Sequence, residues 1–293
     1  MRPEIENNRR FWDEATAIHA RGNVYGIEDF KAGKCQLHRV EVEEMGDVRG
    51  LSLLHLQCHF GLDTLSWARR GARVTGVDLS PSAIALAQEI SRETGVPGDF
   101  VCSNLYDLPE VLDAKERFDV VFTSYGALCW LPELEPWAKL IAHYLRPGGF
   151  FYVVDAHPTA TIFPIDSDMP VAGTFRPFIP YFLDPKGIAW PPEPDYADDG
   201  AMHTVGSHDW HHPLGEIVNV LIGAGLTLEW LHEFPYCAWK VVAGCEVVEG
   251  FSDSPAYYGR PASEPSLPLM FSLRARKPAS SALDPTTIDS ARA

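Results

Sequence analysis

A chain of 293 residues, 46% of them hydrophobic, suits one large α/β domain with insertions or two small domains, each with an ordinary core. Its formal charge of −16, from 40 acids against 24 bases, disfavours nucleic acid as a ligand, because binders of phosphate backbones carry Lys and Arg to neutralise them. No apolar run is long enough for a membrane span, Met1 to Arg10 lacks the apolar centre of a signal peptide, and the six cysteines form no CxxC pair. A cytoplasmic enzyme with reduced thiols and no structural zinc is expected.

Residues 4–20 read as a helix with Phe11 and Trp12 on one side and charge on the other. After a loop, Arg21 to Gly26, a second helical stretch reaches Met45. Both precede the first strand, so residues 1–48 are expected to form an N-terminal helical lid, in which Tyr25 either faces a ligand or anchors the lid to the core. Leu51 to Leu56 is an unbroken apolar run, short enough for a strand buried on both faces of a parallel sheet. It enters a tight polar loop, Gln57-Cys58-His59-Phe60-Gly61, then a helix-compatible stretch, Leu62 to Arg70, stopped by Gly71. A second strand, Arg73 to Val77, ends in Asp78. Strand, turn, helix, strand and acid make the first half of a nucleotide-binding α/β unit. In such a unit the loop meets the ligand at the helix N-terminus and the acid holds two ribose hydroxyls.

Ser80-Pro81 is a helix start, a capping hydroxyl followed by Pro at the first helical position. Ala83, Ile84, Ala87 and Ile90 then recur at helical spacing. Asp99 to Ser103 and Phe118 to Thr123 read as the third and fourth strands, Trp137 to Tyr144 as an amphipathic helix, and Phe150 to Val154, ending in Asp155, as the fifth strand after a break at Arg146 to Gly149. This regular alternation predicts a parallel, doubly wound sheet. Residues 156–213 are rich in Pro, His and aromatics without a long period, and loops of that length are usually functional. His212-Pro213 opens a further helix, followed by a sixth strand over 226–231, a second irregular insert near 234–266 and a last strand over 267–275. From Pro278 the small and polar residues predict a frayed tail over 278–293, so the main domain spans 49–277 with residues 156–213 as its insert.

At this point the chain resembles the class I S-adenosylmethionine-dependent methyltransferases, strongly over residues 50–155 and in outline over 214–276. Residues 53–61 align with that family's glycine-rich first motif, and Val74 to Asp78 with the second. Val101 to Pro109 looks like its adenine motif, and Phe118 to Phe122 and Leu145 to Gly149 like its fourth motif and the turn before its fifth strand. The order and spacing of these segments are more specific than any one of them. Family members usually carry an acid at the place of His55 and glycines at those of Gln57 and His59, and Asn104 replaces the acid of the adenine motif. The Leu-Gln-Cys-His-Phe-Gly variant resembles that of a bacterial subgroup.

The resemblance implies a Rossmann-like, mostly parallel seven-stranded sheet with an antiparallel last strand and a long insertion after the fifth strand. It implies S-adenosylmethionine as cofactor, held by Tyr25, Gln57, Cys58, His59, Gly61, Asp78, Leu79, Asn104, Leu105 and Thr123, and leaving as S-adenosylhomocysteine. Methyl transfer requires the acceptor to be held against the methyl and water to be kept out. A general base is needed only where the acceptor has a proton to lose. His157, His203 and His208 are the candidate bases, with His211 and His212 beside them, and Tyr125 lies just past the fourth strand where the methyl is transferred. A satisfied hydrogen-bonding role is the alternative for each histidine, and capping the next helix is sufficient for His212. A metal is not expected, since the magnesium sites of some catechol-type relatives are built from carboxylates. The aromatics Trp130, Phe175, Tyr181, Trp190, Tyr196 and Trp210 fit a small flat or cationic acceptor, with the chain acting as a monomer or homodimer. Two rival readings are an NAD-dependent oxidoreductase, whose pyrophosphate Gln57 and His59 would crowd, and a non-catalytic adenosylmethionine-binding subunit.

Overall fold

The computed structural model describes residues 2–279 apart from 23, 166–175, 183 and 252–253, so Phe175 and most of the expected tail lie outside the described residues. Helix α1 (Pro3–His19) starts on proline, and its Ile5, Phe11, Ala15 and Ile18 are buried. The second helical stretch is not continuous as expected. It divides into α2 (Ile27–Lys31) and α3 (Arg39–Met45). Gly33 takes a left-handed φ of 99°, which ends the first piece. The His38 N–H donates to Glu41 Oε1 at 2.5 Å and starts the second.

The alternating section follows as β1 (Ser52–Leu56), α4 (Leu62–Arg69), β2 (Arg73–Asp78), α5 (Pro81–Thr94), β3 (Asp99–Cys102), α6 (Leu108–Val111), β4 (Phe118–Ser124), α7 (Leu134–Tyr144) and β5 (Leu145–Ala156). The expected break at Arg146 to Gly149 falls within β5 as a bulge, the pairing with β4 passing from Leu145 directly to Phe150. Gly149 permits this, because a Cβ there would stand 2.9 Å from the Asp119 carbonyl oxygen. The insert holds β6 (Ile188–Ala189), β7 (Pro194–Asp195), β8 (Asp198–Met202) and β9 (His208–Asp209), which pair as β6 with β9 and β7 with β8. Then come α8 (Leu214–Gly223), β10 (Thr227–Phe234), a small sheet of β11 (Tyr236–Cys237), β12 (Glu246–Val247) and β13 (Tyr258–Gly259), and finally β14 (Met270–Arg276).

Seven strands form one sheet in the order β10-β14-β5-β4-β1-β2-β3. β14 runs antiparallel to both β5 and β10, and the pairs of β1 with β2 and β4, β2 with β3, and β4 with β5 are parallel. This is the expected sheet, antiparallel last strand included. Successive residues of a strand face opposite sides, so Leu53 and Leu54 feed two cores. Leu54, Leu56 and Val121 pack with Trp137 and Tyr144 of α7 on one face, whereas Leu53, Val120 and Phe122 pack with Trp67 and Tyr152 on the other. The chain leaves β1 toward β2 and returns to β1's other side with β4. That reversal opens a crevice between their C-terminal ends, where open parallel sheets take ligands. Among the described residues no helix is long and apolar enough to cross a membrane.

Candidate functional site

The crevice floor is the loop between β1 and α4. Gln57, His59 and Gly61 take φ values of 57°, 51° and 75°, a left-handed backbone at alternate positions. Glycine adopts this freely, but for a residue with a Cβ it costs about 1–2 kcal/mol. Local hydrogen bonds offset that cost. The Cys58 N–H donates to the Val77 carbonyl at 2.9 Å, the Gly61 N–H to the Cys58 carbonyl at 2.9 Å, and Gln57 Nε2 to the Ala127 carbonyl across the crevice at 2.8 Å. The glycine-type backbone is therefore kept although two of the glycines are absent. Gln57 Oε1 and His59 Nε2 are buried without a protein partner among the described residues.

Asp78 closes β2 beside this loop. Its Oδ2 accepts from the His59 N–H at 2.7 Å and its Oδ1 from the Ser80 N–H at 2.9 Å. Burial pushes its pKa up to about 6, against the lowering effect of those bonds. Two of the roughly four acceptor sites of an ionised carboxylate are thus used, and two are free for hydroxyl donors. From α1, Asp13 accepts from the Ser80 hydroxyl at 2.6 Å and the Ser82 N–H at 3.1 Å, which docks the lid helix on the start of α5.

An aromatic layer covers the loop. The ring centroids of Trp12, His19 and Tyr25 lie 5.1, 5.2 and 5.2 Å from that of His59, and the Tyr25 hydroxyl meets that of Tyr196 from the insert. Lid and insert are joined by a buried carboxylate. Asp195 Oδ2 lies 3.2 Å from His19 Nε2 and 2.8 Å from His203 Nε2, while Oδ1 accepts from the Ala197 N–H at 2.7 Å. Both histidines present Nε2–H to this shared oxygen, and His19 Nδ1, the acceptor nitrogen of that ring when neutral, has no protein partner among the described residues. Burial lowers the His19 pKa, and the Asp195 charge opposes that shift.

Of the expected bases, the structure brings only His203 into this cluster, stacked on Phe11 at 4.1 Å. His157 lies at ion-pair distance from Glu233, 2.9 Å, and accepts from the Thr159 N–H at 3.0 Å. His208 bonds the Lys186 carbonyl at 2.6 Å, His211 faces the Thr161 hydroxyl at 3.3 Å, and His212 ties the start of α8 to the Leu131 carbonyl at 2.7 Å. These four fasten the insert to itself and to the sheet. Tyr125 takes a positive φ of 44° past β4, and its hydroxyl donates to Glu41 Oε2 at 2.5 Å. Among the described residues no group of three or more His, Cys, Asp or Glu side chains is arranged to hold a metal ion.

The expected cofactor residues divide in the same way. Asn104 starts a short 3-10 turn, its Oδ1 accepting from the Tyr106 N–H at 3.4 Å and its Nδ2 donating to Asp107 at 3.2 Å. Leu105 buries its side chain in the core with Leu54 and Val77, so only its backbone is left for a ligand. Leu79 offers its carbonyl to the Cys102 thiol at 3.6 Å, and Thr123 is fully buried with a hydroxyl that has no partner among the described residues. Sequence reasoning missed Trp12, Asp13, His19 and Asp195. Trp12 and His19 stand seven residues apart on the helix face that carries Phe11, a spacing that marks a shared side. No local pattern singles out Asp195.

Residues 53–149 match the family model described as a methyltransferase domain. The match covers the alternating section from β1 to the start of β5. A ubiquinone biosynthesis O-methyltransferase of Methylobacterium sp. (strain 4-46) is 28% identical over 155 residues, covering 52% of this chain and 61% of its own length. The chain thus spans less than two thirds of that relative. The crystal structure of an S-adenosylmethionine-dependent methyltransferase from Mesorhizobium loti superposes with a TM-score of 0.52 at 21% identity, covering 84% of this chain and 99% of that one. The cyclase SpnF shares the fold, with a TM-score of 0.51 at 16% identity over 92% and 94% of the two chains. S-adenosylmethionine is the cofactor that a methyltransferase domain implies, and the residues fit it. Asp78 has acceptor sites left for ribose, the left-handed loop brings backbone close to a ligand, and Gln57 Oε1 and His59 Nε2 are unpartnered at the same place.

Proposed function

We propose that the protein transfers a methyl group from S-adenosylmethionine to a small-molecule acceptor enclosed beneath residues 1–48 and 156–213. The observation that carries this reading is the junction of lid and insert above the loop, with Tyr25, His19 and Tyr196 gathered over His59 beside Asp78. When bound, the cofactor supplies a methyl on a positively charged sulfur. Asp78 orients it through the ribose, the loop backbone lies along it, and Trp12, His19 and Tyr25 keep water out of the crevice. A cover this close over the loop suits a small acceptor, and the aromatic rings offer stacking or cation–π contact to a flat or cationic one.

The name of the Methylobacterium relative favours oxygen as the methylated atom. A hydroxyl must lose its proton, and His19 has an Nδ1 without a partner among the described residues and an Nε2 anchored on Asp195. In this reading His19 takes the proton and Asp195 fixes its tautomer. The activity is proposed as that of a cytoplasmic monomer or homodimer.

Thermal shift gives the first test, because a ligand of the native state raises the melting temperature. S-adenosylhomocysteine should stabilise the protein and NAD should not, and stabilisation by NAD alone would reverse the reading. Labelled methyl transfer to a panel of small phenols and hydroxy acids comes next. With an acceptor in hand, His19→Gln should lower kcat by about 10²-fold or more while cofactor affinity holds. An unchanged kcat would leave His19 as part of the lid clasp alone.

A further inference from the structure

The acids at the C-terminal edge of the sheet differ in how their charge is met. Asp155 accepts from the N–H groups of Gly126, Ala127, Leu128 and Ala156 at 2.5, 3.1, 3.2 and 2.7 Å. Glu41 accepts from the His38 N–H and the Tyr125 hydroxyl, both at 2.5 Å. Asp78 has its two backbone donors. Asp63, in the first turn of α4, has one donor among the described residues, the Ser124 hydroxyl at 3.0 Å from its Oδ2. The proton order behind that bond is fixed. The Thr64 hydroxyl faces His55 Nδ1 at 2.8 Å, and His55 Nε2 faces Ser124 Oγ at 3.2 Å. Because Ser124 donates to the carboxylate, it accepts from His55 Nε2–H, and Thr64 donates to Nδ1. A directed chain of neutral donors therefore runs from α4 through β1 and β4 and ends on Asp63. Burial holds the His55 pKa down to about 3, so His55 supplies no positive charge.

Asp63 also sits in the crevice. Its charge acts on Tyr25 of the cover and on Glu41, and the Cys58 thiol, raised first by burial, is raised further by both Asp78 and Asp63. The loop thus runs between two carboxylates. Asp63 is half-buried, and its second oxygen has no protein donor among the described residues. Gln57, which precedes Cys58 in the chain and is held through Nε2 on Ala127, has a buried Oε1 without a protein partner among the described residues. The helix start eases a negative charge in its first turn, but it supplies no counter-ion. Two acceptors without protein donors among the described residues, one in the loop and one in the helix that follows it, call for a cationic group with several N–H bonds.

We infer that Asp63, assisted by Gln57 Oε1, binds the ammonium group at the amino-acid end of the cofactor. This rests on the methyltransferase reading, and it explains how β1 can carry a histidine where the family has an acid. The negative charge has moved from the strand to the next helix, and His55 has become the donor chain that orients it.

Calorimetry on the full chain tests this with two probes, S-adenosylhomocysteine and 5′-methylthioadenosine, which keeps the ribose and adenine but lacks the amino-acid end. Asp63→Asn should weaken S-adenosylhomocysteine by about 10- to 100-fold and change methylthioadenosine less than about twofold. Equal weakening of both probes, or of neither, would overturn the assignment. The unmutated protein gives a second test that does not depend on a variant folding. Asp63 and Asp78 both have a pKa near 6, raised by burial, but only Asp63 distinguishes the probes. The ratio of the two affinities should fall as pH drops from 7 to 5, and a constant ratio would overturn the proposal. The other groups facing Asp63 are Ser124, neutral His55, the raised Cys58 thiol, Tyr25 and Glu41. If the pH effect belongs to Glu41 it will persist in Asp63→Asn, which would also overturn the proposal. Failure of the unmutated protein to bind S-adenosylhomocysteine at all would instead remove the methyltransferase reading and this assignment with it.

Discussion

At the scale of single residues, the site combines groups that are costly to the empty protein. Asp78 and Asp63 both have carboxyl pKa values raised by burial from 3.8 to about 6. A raised carboxyl favours the protonated form in the fold. Its stabilising share is therefore fully present below the unfolded pKa and is lost as pH rises through 6. Ligand binding has the opposite sign, since ribose hydroxyls and an ammonium need ionised acceptors. The rise in melting temperature caused by S-adenosylhomocysteine should thus be larger at pH 7 than at pH 5, and an equal shift at both would separate these acids from the ligand. Asp78→Ala should weaken S-adenosylhomocysteine by about 2–3 kcal/mol through loss of a charged acceptor. Unchanged affinity in a folded variant, read by calorimetry, would remove Asp78 from the site.

At the scale of elements, the β1–α4 loop shows a backbone conformation outlasting the residues that usually specify it. Gln57 and His59 sit in the left-handed region because their neighbours hold them there, through the bonds to Val77, Asp78 and Ala127. Gly61 has no such latitude. A Cβ at this position, where φ is 75°, would lie 2.6 Å from Phe100 Cε1 and 3.2 Å from Ala87 Cβ. Gly61→Ala combines left-handed strain with overpacking and should destabilise the fold by about 2–4 kcal/mol, measured by urea unfolding. A loss below about 0.5 kcal/mol would mean that α5 and β3 shift freely around the loop.

At the scale of the whole molecule, residues far apart in the chain build one cover. Asn8 holds His208 from both sides, its Nδ2 donating to the carbonyl at 2.6 Å and its Oδ1 accepting from the N–H at 2.8 Å. Glu14 accepts from the Thr204 N–H at 2.7 Å, and His19 reaches Asp195. Helix α1 is therefore anchored on the insert as well as on the start of α5. Replacing residues 160–205 with a short Gly-Ser linker removes Asp195, Tyr196 and His203 together. Methyl transfer should be abolished, while S-adenosylhomocysteine still binds through Asp78 and the loop, more weakly because α1 has lost its anchors. A truncated protein that folds and methylates at the full rate would place the acceptor elsewhere.

The sheet was legible in the sequence because its signals are local. Apolar runs such as Leu51 to Leu56, the capping Ser80-Pro81 and the acid at the end of the second strand each report their own element, and their order leaves few topologies for a parallel sheet. The position of Asp78 beside the β1–α4 loop could be read for the same reason, since it follows from the strand end that Asp78 occupies. The cover could not. His19 and Asp195 are 176 residues apart, and neither stands in a pattern that anticipates the other. Of the four histidines between 203 and 212, only tertiary packing directs His203 to the crevice and His208, His211 and His212 to the frame of the insert. The same holds for the charge beneath the cover. Whether His55 and Asp63 are ordinary core and helix-start residues or members of one donor chain depends on Ser124, which β4 brings alongside β1. Periodicity and turn chemistry act over a few residues, so sequence determines the elements and their order. Hydrogen bonds between side chains on separate elements exist only once the sheet has brought those elements together.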